Sequence, residues 1–285
     1  MKRLAVLAVL LVPLLARADY LITTPDSLLN NAADYLVISH SDFTSALYPL
    51  CRLRESLGLE VKMAELSLVY SVFDSGARTD RIKAFLRQVY YNWSRRPDYV
   101  LLVGDACQDS TSGRDFLPCR IFPKFSYPYA SGCTTHSIDN WYVQLEGIDS
   151  IPDLIIGRLP VGTPARAESL VAKTVLYENQ PDTGAWVGTV NLLSSNDRQH
   201  YADELDSLYF QPAGDSVYRV YEWEGNSAFL RKKTRDGINA GASLLFPVNH
   251  GGMPPAWSGS KLLFSYQDVD SLVNRDRLTI VLGQG

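Results

Sequence analysis

The sequence predicts an α/β fold: predominantly parallel sheets with helices on both faces, arranged as two lobes. Two observations carry this. Short, nearly unbroken apolar runs alternate with amphipathic segments of helical period, the order that parallel strands joined by crossover helices produce. The chain has 285 residues, 46% hydrophobic and 20% charged, enough to bury a substantial core. That composition excludes disordered, collagen-like and coiled-coil chains.

The N-terminus comes first. Lys2 and Arg3 precede an apolar stretch from Leu4 to Leu15 and then Ala16-Arg17-Ala18, which reads as a signal peptide over 1–18 with cleavage after Ala18. The apolar stretch is too short to span a bilayer, and an uncleaved anchor is the alternative. Cleavage removes three cations and takes the formal net charge from −4 to −7. No later stretch is apolar enough to cross a membrane, so a secreted or extracytoplasmic protein without a membrane span is expected.

An N-terminal α/β lobe is expected over 19–180. Tyr35–Ser39 is strand-like, and Thr44–Leu57 has helical spacing and stops at Gly58. Leu59–Met63 is the next strand and Asp80–Trp93 the next helix, with Ile82, Phe85, Leu86, Val89 and Tyr90 on one face. Tyr99–Val103 is a buried strand ending in Gly104-Asp105. Residues 106–138, rich in Ser, Gly, Pro and Cys, read as a long surface excursion. Asp153–Ile156 is a short strand, and Pro164 opens a helix through Glu178.

A C-terminal lobe over 181–285 follows a joint near Asn179–Ala185, although one continuous sheet fits the pattern equally. Its strands are Val187–Ser194, Ser216–Val220 and Ala242–Val248, separated by helices at Asp197–Leu208 and Ser227–Ala240. A short helix near Asp268–Val273 and a buried strand Leu278–Leu282 complete it. A buried strand so near the last residue, Gly285, reads as an incomplete frame, since domain boundaries fall in polar linkers.

Several functions are disfavoured. The acidic balance and the lack of a basic run give nucleic-acid binding no electrostatic support. There is no CxxC pair, GxSxG elbow, P-loop or GxGxxG. His250 is the most informative residue: it follows the apolar run Leu244–Val248 and precedes Gly251-Gly252. The carboxyl end of a parallel strand is where such sheets place their sites, and a free N–H beside the glycines could stabilise an oxyanion. A loop histidine beside a glycine turn is the plain alternative.

His40 ends a strand before a helix start and reads as structural, while His136 and His200 read as solvated. A Cys133–His136 dyad is disfavoured because neither residue ends a strand. Cys51 falls on an apolar helix face, and one pair among Cys107, Cys119 and Cys133 is expected to form a disulfide. Asp139, Asp149 and Asp153 surround a turn-rich stretch that could hold calcium, with turn capping as the commoner role.

Several blocks together carry a family resemblance. They are Tyr99–Asp105, Asp139-Asn140-Trp141-Tyr142, Pro152–Val161, Lys173 with Tyr177-Glu178, Asn239–Ser243, and Asn249-His250-Gly251-Gly252 with Trp257. In order and spacing they resemble the gingipain-like cysteine peptidases over nearly all of 19–285. The resemblance implies a caspase-like fold, in which His-Gly follows one apolar strand and a cysteine follows the next. It makes His250 the acid/base partner of the thiolate and Gly251 an oxyanion donor. The nucleophile is expected immediately after Gly285, so the 285-residue chain by itself is expected to be inactive.

Asp197 resembles the carboxylate that faces a basic P1 side chain, with a helix N-cap as the alternative. Trp257 resembles a substrate-pocket wall but stands one residue further from the histidine. Ser194-Ser195-Asn196 occupies the place where the family keeps an acidic residue supporting the histidine. The expected function is a secreted cysteine endopeptidase domain acting on proteins or peptides without a required cofactor, structural calcium remaining open. The alternative is a secreted caspase-like binding module without catalysis.

Overall fold

Leu36, Val37 and Ile38 follow one another without a polar alternate because both faces of their strand are covered, and all three are fully buried. The computed structural model describes residues 20–106, 115–123, 135–179, 184–252 and 256–283, and the chain divides into two compact units, Met1–Glu178 and Asn179–Gly285. Among the described residues, no helix is long and apolar enough to cross a membrane. The segment expected as a signal peptide lies outside them.

The first unit runs β1 (Leu21–Ile22), α1 (Pro25–Leu29), β2 (Tyr35–Ser39), α2 (Thr44–Ser56), β3 (Val61–Glu65), α3 (Leu66–Val72) and α4 (Arg78–Asn92). It continues with β4 (Tyr99–Val103), β5 (Arg120–Pro123), β6 (Thr135–Ile138), β7 (Ile155–Leu159) and α5 (Pro164–Asn179). Five parallel strands form one sheet in the order β1-β3-β2-β4-β7. Leu36, Ile38, Val100 and Leu102 meet Phe85, Leu86 and Val89 of α4 on one face. Val37, Met63, Leu101 and Val103 meet Leu47 and Cys51 of α2 and Val171 of α5 on the other.

Two expectations are corrected here. The strand expected at Asp153 begins at Ile155, because the Asp153 carboxylate turns aside to accept the N–H groups of Leu145 and Glu146 at 2.6 and 2.9 Å. The stretch expected as a surface excursion is in part core: β5 pairs antiparallel with β6, and Leu117 is fully buried. Arg158 explains the order. Its guanidinium donates to the carbonyls of Gly104 and Leu117 at 2.7 and 2.8 Å and forms a two-pronged pair with Asp139, both prongs 2.7 Å.

The second unit runs β8 (Thr189–Ser194), α6 (Gln199–Leu205), α7 (Gln211–Ala213), β9 (Ser216–Tyr221), α8 (Ser227–Ala240), β10 (Leu244–Val248), β11 (His250–Gly252), β12 (Ala256–Ser258), β13 (Leu262–Ser265), α9 (Tyr266–Val269) and β14 (Ile280–Val281). Four parallel strands lie in the order β14-β10-β8-β9, and β11-β12-β13 form a separate antiparallel sheet. Leu193, Val220 and Leu245 pack with Leu230 and Ile238 of α8, while Val190 and Leu192 pack with Ala202 of α6 and with Phe210.

The helix expected over Asp197–Leu208 is in three parts: a 3-10 turn Asn196–Arg198, α6, and a π turn Asp206–Phe210 whose buried Asp206 is held by Arg219. The terminal strand is also corrected. Only Ile280 and Val281 pair, on one side, with Leu244 and Leu245, so Ile280, Val281 and Leu282 are exposed where burial was expected.

Asn191, at the centre of β8, is 1% exposed, and its side-chain amide has no hydrogen-bond partner among the described residues. A Cβ on Gly237 of α8 would lie 2.9 Å from its Oδ1, so helix and strand are already in close contact there. Burying an unpaired amide is costly, and Asn191→Leu is expected to raise the unfolding free energy by about 1–3 kcal/mol. Urea denaturation of the variant checks this; a loss of stability would refute it.

Candidate active site

Two adjacent parallel strands build the site. Val248 at the end of β10 stands beside Ser194 at the end of β8, and the Ser194 hydroxyl donates to the Val248 carbonyl at 3.3 Å. The chain leaves β8 through Ser195-Asn196-Asp197 and leaves β10 through Asn249-His250. Residues 53 apart in sequence therefore meet: Nε2 of His250 lies 2.8 Å from Oδ2 of Asp197. This is the carboxyl edge of the sheet, where open α/β sheets bind ligands.

The pair is open to water, with the His250 and Asp197 side chains 49% and 60% exposed. The hydrogen bond from His250 holds the Asp197 carboxyl down at about 2. Solvent screens a pair so exposed, and its share of stability is below about 1 kcal/mol. A depressed carboxyl contributes above its ordinary pKa and loses that contribution as pH falls, here from about 4 to about 2. Carbon-13 NMR is expected to show Asp197 titrating near 2 in the parent and moving up toward the ordinary carboxylate range in His250→Ala; unchanged titration would refute the contact.

With the carboxylate accepting at Nε2, the neutral imidazole carries its proton there and leaves the Nδ1 lone pair free to take one. This tautomer is assigned from the hydrogen bond. Gly251 follows in β11 opposite Trp257 of β12, and a Cβ built on it would meet nothing within 4 Å among the described residues. Trp257 is half-buried, its ring stacked on Phe264 at 5.4 Å and 24°. A cleft of about 480 Å³ opens between α6 and β10, lined among others by Arg198, Tyr201, Leu205, Phe246 and Val248.

The remaining candidates separate from this site. Nδ1 of His40 accepts the Asp42 N–H at 3.3 Å, and its ring meets the edge of Phe116 at 5.2 Å. His200 lies against Tyr201, their rings 3.8 Å apart. Burial pushes the Cys51 thiol up to about 12, far from a thiolate at neutral pH. Among the described residues Cys119 has no disulfide partner, and burial raises its pKa. Cys107 and Cys133 lie outside the described residues, as does the side chain of His136.

The acidic trio does not converge. Asp139 binds Arg158, Asp153 binds backbone N–H groups, and Asp149 accepts from the Ile151 N–H at 2.9 Å. Among the described residues, no group of three or more His, Cys, Asp or Glu side chains could hold a metal ion.

Sequence reasoning passed over Glu222. It is 1% exposed, and its carboxylate accepts the Asn196 N–H at 2.9 Å, the Ser260 hydroxyl at 2.8 Å and the Lys261 N–H at 2.5 Å. Burial works to raise its pKa, but these hydrogen bonds outweigh burial and hold it below the ordinary value. The one signal in the sequence was an acidic residue directly after a strand, a feature too common to single it out.

A profile of peptidase family C25 matches residues 18–285. The solved Arg-specific cysteine proteinase gingipain R is similar to this chain with a TM-score of 0.69 at 21% identity, over 90% of this chain and 55% of that one. A second structure, described as a protease, gives a TM-score of 0.64 at 19% identity over 87% of this chain and 51% of that one. The chain thus spans about half the length of these two relatives. No curated protein matches it. At such identities the structural likeness speaks for the caspase-like fold, and the profile match speaks for the family. The chain belongs to peptidase family C25, the gingipain family, and is a cysteine-peptidase-type domain.

Proposed function

We propose that the chain is the catalytic domain of a secreted cysteine endopeptidase in which His250 is the acid/base partner of a cysteine nucleophile. The observation that carries this is the His250–Asp197 pair at the carboxyl ends of two neighbouring parallel strands. Nδ1 of His250 takes the thiol proton, and the thiolate sulfur bonds to the peptide carbonyl carbon while the carbonyl oxygen gains the charge. The Gly251 N–H stabilises that oxyanion. Imidazolium then returns the proton to the leaving amine as the C–N bond breaks, and water releases the acyl group by the same route. Asp197 orients the imidazole and offsets its positive charge.

The nucleophile is proposed as a cysteine following Gly285. β14 is parallel to β10 and so runs toward the edge of the sheet at which His250 lies. Cys51 is buried with a raised pKa and does not suit the role. Asp197, exposed beside the imidazole, is proposed as the partner of a basic P1 side chain, and Trp257 as a wall of that pocket. The signal peptide over 1–18 is proposed to direct secretion.

The protein from the complete reading frame is expected to hydrolyse Arg- or Lys-containing fluorogenic peptides and to stop after iodoacetamide treatment, while the 285-residue chain shows no thiol-dependent turnover. Turnover by the 285-residue chain would contradict the placement of the nucleophile. A folded full-length protein without turnover would favour the non-catalytic module.

A further inference from the structure

We propose that Glu222 is a positioning residue that sets the Asp197–His250 geometry by clamping together the two backbone segments on which that geometry depends. The inference deepens the peptidase reading and rests on it only for its effect on turnover. One segment is the turn after β8: the Glu222 carboxylate accepts the Asn196 N–H at 2.9 Å, one residue before Asp197. The other is the turn after β12, which meets the same carboxylate through the Ser260 hydroxyl at 2.8 Å and the Lys261 N–H at 2.5 Å. That turn continues the strand whose Ser258 pairs with His250. Lys261 adds a second tie, its Nζ donating to the Glu222 carbonyl at 3.1 Å.

The fit around the carboxylate is close. A Cβ on Gly259 would lie 2.4 Å from Oε2 of Glu222 and 2.7 Å from Cβ of Ser195, so the turn reaches the carboxylate only because this residue has no side chain. Glu222 comes from the end of β9, a strand that contributes neither residue of the pair. All three donors need an acceptor, and a carboxylate presents only acceptors. In Glu222→Gln the shape is kept, but an NH2 group replaces one oxygen and faces a donor. At least one of the two turns is then released.

The test reads the pair directly. Long-range proton–nitrogen NMR of His250, at a pH where the imidazole is neutral, distinguishes the Nε2–H from the Nδ1–H tautomer. The parent is expected to hold mainly Nε2–H. In Glu222→Gln the Nδ1–H fraction is expected to rise several-fold, because Asp197 no longer fixes the ring. Ser260→Ala deletes one donor, keeps the carboxylate, and serves as the milder probe that stays folded, with a smaller change in the same direction.

A folded Glu222→Gln or Ser260→Ala protein with the parent tautomer ratio overturns the inference, whatever happens to its melting temperature. In a protein that carries the proposed nucleophile, Glu222→Gln is expected to lower kcat/KM for Arg or Lys peptides about tenfold or more. If the tautomer shifts but the parent itself never turns over substrate, Glu222 keeps its positioning role and the peptidase reading fails.

Discussion

His250→Ala, introduced into a protein that carries the proposed cysteine nucleophile, is expected to lower kcat/KM for Arg or Lys peptides by about 10³-fold or more while the melting temperature stays within a few degrees. General acid–base catalysis alone contributes about 10²–10⁴-fold, and the thiol also loses the base that makes it a thiolate. The melting temperature holds because the side chain is half exposed and its polar partner Asp197 is more exposed still. Steady-state kinetics and calorimetry on the same sample separate the two effects. A loss of activity matched by a loss of folding would leave His250 a structural residue, and a loss below about tenfold would remove it from the chemistry.

Asp268→Ala is expected to lower stability by about 1–3 kcal/mol, the cost of leaving the buried Ser265 N–H and hydroxyl without their acceptor and the two partly buried arginines without their carboxylate. Asp268 is 2% exposed and holds α8 to the start of α9. It accepts from Nε of Arg231 at 2.9 Å, from Arg235, and from the N–H and hydroxyl of Ser265 at 2.9 and 3.1 Å. Burial works to raise the Asp268 pKa, but the bonds from Arg231 and Arg235 outweigh burial and lower it. Its contribution is therefore complete above the ordinary carboxylate pKa of about 4 and fades as pH falls below that value. Urea denaturation at neutral pH checks the magnitude, and repeating it in acid is expected to shrink the gap between parent and variant. A cost below about 1 kcal/mol at neutral pH would mean that the two arginines find other partners.

The strands that build both sheets were legible because burial on both faces leaves a local mark. Val100–Val103 and Leu36–Ile38 are apolar at successive positions for that reason. The same mark misled at Ile280–Leu282, since an apolar run does not say whether a strand has one neighbour or two. His250 was legible from a strand end followed by glycines. Its contact with Asp197 was not, because it requires β8 and β10 to be adjacent, and element order alone leaves sheet order open.

Buried charges were the least legible. Arg158, Glu222 and Asp268 look like surface residues in sequence, and their roles depend on distant partners, as with Arg231, 37 residues from Asp268. The acidic trio shows the converse. Asp139, Asp149 and Asp153 lie close in sequence, yet the fold gives each a different partner.

The most direct test of the central claim is to treat the full-length protein with a peptidyl chloromethyl ketone bearing arginine at P1 and to map the adduct by mass spectrometry. The adduct is expected on a single cysteine immediately following Gly285, and its formation is expected to be lost in His250→Ala. An adduct on Cys51, Cys107, Cys119 or Cys133, or labelling that persists without His250, would contradict the account.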